Sequence, residues 1–202
     1  MVANLTGILR KSKLGAIIGH FYTPLSVSRQ FNTTVSNAKK SSGILKHYKV
    51  IGGGDAVNCN VTTDDGWKIS TDTPKNQGGT NTAPQPVSLL LASLCGCELA
   101  TARFVALKSS PRIKMGRIEF DIKAKRDERG AIALPLGSPL PVPARLEHVW
   151  GTATVYNTNA TQEQIKNLGD EVHLRCPVAN MIVLSGCLLE IHWKIAEVDL
   201  IT

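Results

Sequence analysis

Cys95, Cys97 and Cys176 stand in two stretches of this chain whose residue types could do thiol chemistry. Residues 91–104, LASLCGCELATARF, set Cys95, Cys97 and Glu98 inside an otherwise apolar run, and residues 175–182, RCPVANMI, set Cys176 directly before a proline. The nucleophilic form of cysteine is the thiolate, which the free N–H groups and dipole of a helix N-terminus stabilise. Cys176, preceded by Arg175 and followed by a helix-starting proline, is on local grounds the more acidic thiol. Cys97 sits in mid-helix and must obtain its activation from tertiary neighbours.

The CGC triplet is not a chelating or disulfide unit. Positions i and i+2 of a helix lie about 200° apart, so Cys95 and Cys97 point to opposite sides. Cys97 shares its stripe with Leu90, Ser93, Leu94, Ala100 and Thr101, whereas Cys95 shares its side with Leu91, Glu98 and Leu99. Arg103, roughly 240° round from Cys97, cannot face it, and its default role is an ion pair with Glu98 on the neighbouring turn. Cys59 and Cys187 fall on the inward faces of strands and read, like Cys95, as small buried apolar residues.

Five cysteines without regular spacing do not make a secreted disulfide scaffold, and a reducing compartment fits them best. His20, His47, His148, His173 and His192 show no zinc-ligand spacing with the cysteines. A Cys-His-Asn set using His173 and Asn180 lacks any nucleophile motif around it.

The elements that must position these thiols are legible in outline. Val57, Cys59 and Val61 alternate with polar residues, Asp65-Gly66 supplies a hairpin turn, and Trp67, Ile69 and Thr71 continue an antiparallel pair with one buried face. Residues 73–85, TPKNQGGTNTAPQ, form a loop of the length that borders sites. Pro86 opens a long helix running to about Lys108, short of Pro111 and apolar almost all round, so it is expected at the centre of the fold. Glu98 and Arg103 make it costly as a membrane span.

Ile113 and Met115, then Ile118, Phe120, Ile122 and Ala124 in the opposite phase, predict a strand with a bulge near Gly116. The prolines of residues 129–144 predict a stiff, extended connection. A strand over 146–156, a helix opened at Asn159-Ala160-Thr161 with Ile165, Leu168 and Val172 inward, a short helix from Pro177 to near Gly186, and a final strand with Cys187, Leu189, Ile191, Trp193 and Ile195 on one face complete the chain.

The net charge of +7 is misleading as a whole. Residues 1–54 hold eight basic residues and no acid, which leaves 15 basic against 16 acidic residues beyond them. The folded part is near neutral, so nucleic-acid binding by it is not expected. The acid-free segment 1–45 has the composition of an organellar presequence, mitochondrial in the first place, with plastid or cytoplasmic location as alternatives, and 46–202 forms the one domain.

Taken together, DTPKNQGG (72–79), PQPVSLLLASLCGCELATARFVA (84–106) and RCPVANMI (175–182) resemble the osmotically inducible protein C and organic hydroperoxide resistance (OsmC/Ohr) family, over residues 48–198. Its pattern is a Pro-x-x-x-Gly-Gly loop, a Leu-Leu-Ala-Ala-Leu-x-x-Cys helix and a later Cys-Pro. The resemblance implies an α+β fold in which antiparallel sheets wrap two central helices of an intertwined homodimer. It implies that Cys97 is the peroxidatic nucleophile and Cys176 the resolving thiol of a peroxidase that takes organic hydroperoxides. It also implies a dithiol reductant, lipoyl in some members, and no metal or organic cofactor. The alternative reading is a non-catalytic dimer that binds an apolar ligand or senses redox state. It is motivated by two departures: the hydroperoxide-resistance members pair the nucleophile with an arginine and a glutamate, and here Gly54 (in GGGDA, 52–56) and Asn76 hold those places.

Overall fold

The computed structural model describes residues 43–197. The presequence assigned to 1–45 lies almost wholly outside them. Two three-stranded sheets and three main helices are formed. The first sheet, in the order β1 (Val50–Gly53), β2 (Cys59–Thr63), β3 (Lys68–Thr71), is antiparallel, with Gly52 opposite Val61 and Cys59 opposite Thr71. Its β2–β3 turn closes through Thr63 and Trp67, and Gly66 there takes a φ of 91°, which an L side chain resists.

The alternation expected in β2 is present, but the apolar face is not buried within the chain: Val50, Ile51, Trp67 and Ile69 are exposed. The same holds for α1 (Pro86–Lys108), whose bounds match the proline-set limits. One stripe of this helix, Leu94, Glu98, Ala102 and Ala106, is buried, while Leu90, Phe104 and Leu107 are exposed. The stripe repeats every fourth residue, and its two alanines let α3 (Gln162–Arg175) pack closely against it. Helix α1 is long and apolar enough to cross a membrane by length and composition alone.

The second sheet is mixed. Strand β4 (Ile118–Arg126) pairs antiparallel with β5 (Leu146–Val155), and β5 pairs parallel with β6 (Leu188–Ile195), which departs from the all-antiparallel expectation. The helices between β5 and β6, α3 and α4 (Pro177–Leu184), return the chain to the start of the sheet, the crossover that parallel pairing needs. Residues 113–117 are not strand, so no bulge forms at Gly116, and the register shift falls at Lys125/Arg126 instead. The proline-rich connection opens with a helical turn, α2 (Arg129–Ile132), rather than an extended segment.

Thr161 caps α3 with a reciprocal capping box to Gln164. Helix α3 lies on β6 through Gly169, where a Cβ would come within 2.3 Å of the Trp193 ring, and Ile165, Leu168 and Val172 are buried as the spacing predicts.

The loop before α1 is built around Asp72, a buried carboxylate that accepts from the N–H groups of Thr73, Thr80 and Thr82 and from the hydroxyls of Thr80 and Thr82. Gly79 is required by this ring, since a Cβ would lie 1.9 Å from the Thr73 carbonyl oxygen. The Thr82 N–H foremost, then the Thr80 hydroxyl, hold Asp72 well below the usual carboxylate range. A depressed native pKa stabilises the fold above the unfolded value of 3.8 and the contribution is lost as pH falls further. Asp72→Asn is therefore expected to lower the melting temperature at pH 7 and to flatten acid unfolding below pH 3.8, read by circular dichroism; an unchanged acid limb would exclude this role.

Candidate active site

Cys97 and Cys176 are brought together. Cys97 is half-buried in the middle of α1, and Cys176 is fully buried at the joint between α3 and α4, closing one helix and starting the other. Pro177 begins α4 and needs no N–H partner there. Asn180 fixes the joint by donating from Nδ2 to the carbonyl oxygens of His173, Leu174 and Cys176 at 3.0, 3.3 and 2.8 Å. It satisfies the open end of α3 and makes no catalytic-triad arrangement with the His173 ring.

The local expectation for Cys176 is overturned. Its sulfur does accept from the Ala179 N–H at 3.4 Å, the helix-start contact the sequence suggests. Burial outweighs it and, together with the adjoining Cys97 and Glu98, pushes the thiol up to about 12. Arg175 gives no help, since its guanidinium is engaged with Glu171.

Glu98 is the residue that the sequence reading misplaced. Arg103 does not pair with it; that guanidinium donates to the carbonyl oxygens of Met115, at 2.6 Å, and Gly116. Glu98 instead lies in the buried stripe of α1, next to Cys97 in the chain and facing the α3–α4 joint. His173 Nε2 stands 3.6 Å from Glu98 Oε2, and among the described residues neither carboxylate oxygen nor that ring nitrogen makes a full hydrogen bond. Burial raises Glu98 to about 7, with the Cys176 thiol pulling weakly the other way. Burial lowers His173, against Asp170, so the imidazole is held neutral. The signal that could have found Glu98 is a lone carboxylate in the i, i+4 series Leu94-Glu98-Ala102-Ala106.

Gly54 and Asn76, the two positions where the resemblance expects an arginine and a glutamate, bring no charged group to the cysteines. A Cβ at Gly54 would fall 1.7 Å from the Asn58 carbonyl oxygen, so this backbone admits no side chain there. Asn76 sits exposed in the short turn Lys75–Gln77. An apolar cavity of about 260 Å³ is walled by Leu90, Leu146, Met181 and Ile182 with Arg145, and the cysteine in its wall is Cys187, not Cys97.

The family model of OsmC-like proteins matches residues 79–192, more than half of the chain. The chain belongs to the OsmC-like family. No curated protein matches its sequence. Among solved structures, the fold is similar to an OsmC-like protein from Mycoplasma pneumoniae, at 20% identity and a TM-score of 0.59 over 75% of this chain and 99% of that one. It is also similar to an organic hydroperoxide resistance protein from Legionella pneumophila (20%, 0.56, 77% and 100%) and one from Elizabethkingia anophelis (21%, 0.53, 76% and 98%). At these identities the likeness establishes the OsmC-like fold, and the chemistry rests on the site.

Proposed function

We propose that this OsmC-like protein is a thiol-dependent peroxidase for organic hydroperoxides, with Cys97 as nucleophile and Cys176 as resolving thiol. The observation that carries the reading is the placement of these two cysteines, 79 residues apart in the chain, side by side across α1 and the α3–α4 joint. The half-buried Cys97 is the one a substrate can reach; the fully buried Cys176 is suited to react only with Cys97.

In the proposed cycle the Cys97 sulfur attacks the terminal peroxide oxygen, the O–O bond breaks, and the alcohol leaves with a proton. The resulting sulfenic acid condenses with Cys176 to a disulfide and water. An external dithiol, lipoyl in character, reduces it by exchange.

A homodimer is part of the proposal. The large apolar side chains left exposed on β1, β3 and α1, with Leu174, Met181 and Leu184, support it, since exposed apolar side chains in number mark a surface that takes a partner. The acid-free segment 1–45 supports a mitochondrial location.

A second reading, an apolar-ligand binder or redox sensor, is favoured by the cavity at Cys187 and by the raised Cys176 thiol. One equivalent of cumene hydroperoxide added to reduced protein, followed by nonreducing peptide mass spectrometry, separates the two. A Cys97–Cys176 disulfide that forms faster than with hydrogen peroxide is expected; both thiols remaining reduced would favour the second reading.

A further inference from the structure

We propose that Glu98 is the acid–base residue of the disulfide-forming step, taking the proton from Cys176 as that thiol attacks Cys97. The proposal deepens the peroxidase reading and rests on it for the physiological reaction. Its basis is geometric. The carboxyl group is fully buried, carries among the described residues no full hydrogen bond on either oxygen, follows Cys97 in the chain, and lies 3.6 Å from a buried imidazole nitrogen that also finds no hydrogen-bond partner among them. An uncompensated buried carboxylate is costly in a packed core, and acid–base work is a role that calls for one.

The chemistry of Cys176 supplies the need. A thiol raised to about 12 is almost wholly protonated at neutral pH, and a protonated thiol is a poor nucleophile. A base beside it that titrates near neutrality removes this obstacle without a cation.

In the step, the Cys176 sulfur attacks the sulfur of Cys97 sulfenic acid. The S–S bond forms, the S–O bond breaks, and its electron pair leaves on oxygen. The Cys176 sulfur is oxidised and the Cys97 sulfur is reduced. Glu98 accepts the Cys176 proton and delivers it to the departing hydroxyl, which leaves as water, so the carboxylate is regenerated. The titratable groups around Glu98 are Cys95 and Cys97 on α1, His173 with Asp170 behind it on α3, and Cys176 at the joint.

The test uses a probe that needs no peroxidase activity. Reduced full-length protein receives one equivalent of dithiodipyridine. Attack by Cys97 releases a first thiopyridone, and attack by Cys176 on the mixed disulfide releases a second, with peptide mapping to confirm the pair. In the wild type the second rate should rise through pH 7 and then level. In Glu98→Gln the ratio of second to first rate at pH 7 should fall at least about tenfold, and the rise should move to the alkaline range set by Cys176 itself.

A wild-type second rate that climbs steadily through pH 9 overturns the proposal, whether or not the variant folds. An unchanged ratio and profile in folded Glu98→Gln does the same. If this pattern is found but cumene hydroperoxide leaves the thiols reduced, the peroxidase reading fails and the role of Glu98 stands. If peroxide closes the disulfide and Glu98→Gln closes it as fast, the reverse holds.

Discussion

Cys97→Ser is expected to reduce turnover of cumene hydroperoxide with a dithiol by about three orders of magnitude or more, because Cys97 is the thiol of the pair that a substrate can reach. Cys176→Ser should behave differently. Its Cys97 can still react, so about one equivalent of peroxide per site is consumed in a burst, and a sulfenic acid accumulates that dimedone labels at Cys97. The contrast follows from position: Cys97 is half-buried and reachable, whereas Cys176 is sealed between α1, α3 and α4. Equal residual activity in the two variants would mean that the cysteines do not divide the labour in this way. A burst that survives in Cys97→Ser would place the nucleophile elsewhere, with Cys95 the first residue to examine.

What could be read before the fold was known follows from how local each signal is. Pro86 and Pro111 bound α1, Thr161 and Gln164 form a capping box three residues apart, and Asp65-Gly66 makes its own turn. Each is settled by residues within one turn of the chain. The parallel pairing of β5 with β6 depends on where 32 residues of intervening chain return, and nothing in either strand encodes it. Likewise α1 is apolar almost all round in sequence, yet it is its Leu94–Ala106 stripe that is buried among the described residues.

The site was half legible for the same reason. The cysteines carry recognisable neighbours in the sequence, but their acidity does not. The helix start before Pro177 favours a thiolate at Cys176, and a local reading stops there. Burial against α1 is a tertiary effect and reverses the outcome. Closeness on one helix pairs Glu98 with Arg103 in a local reading; the carbonyl oxygens of Met115 and Gly116, more than ten residues further on, compete successfully for that guanidinium.

The charge state of Glu98 should also be written into stability, in the pH range around neutrality. Its carboxyl rises from 4.5 to about 7 on folding, chiefly through burial. A shift of that size corresponds to about 3 kcal/mol between the two protonation states. Because the native state holds this proton more tightly than the unfolded chain, the Glu98 contribution falls as pH rises from 4.5 to 7 and is constant beyond. His173 acts in the opposite sense: its native pKa is depressed, so its contribution is lost as pH falls below 6.5. The two slopes oppose each other in the wild type, and only a difference between variants isolates one. In Glu98→Leu the carboxyl slope disappears while His173 remains, so urea midpoints at pH 8 should exceed those of the wild type by a stability difference of roughly 1 to 3 kcal/mol, shrinking toward pH 4.5. The same variant should lose rapid Cys97–Cys176 closure, since leucine can accept no proton. A buried group that destabilises the fold at the pH where it works, and whose removal improves stability at the expense of one chemical step, is the pattern expected of a functional carboxylate. If Glu98→Leu is less stable than the wild type at pH 8, the carboxyl is instead held by interactions that compensate its burial, and its part in proton transfer would have to be reconsidered.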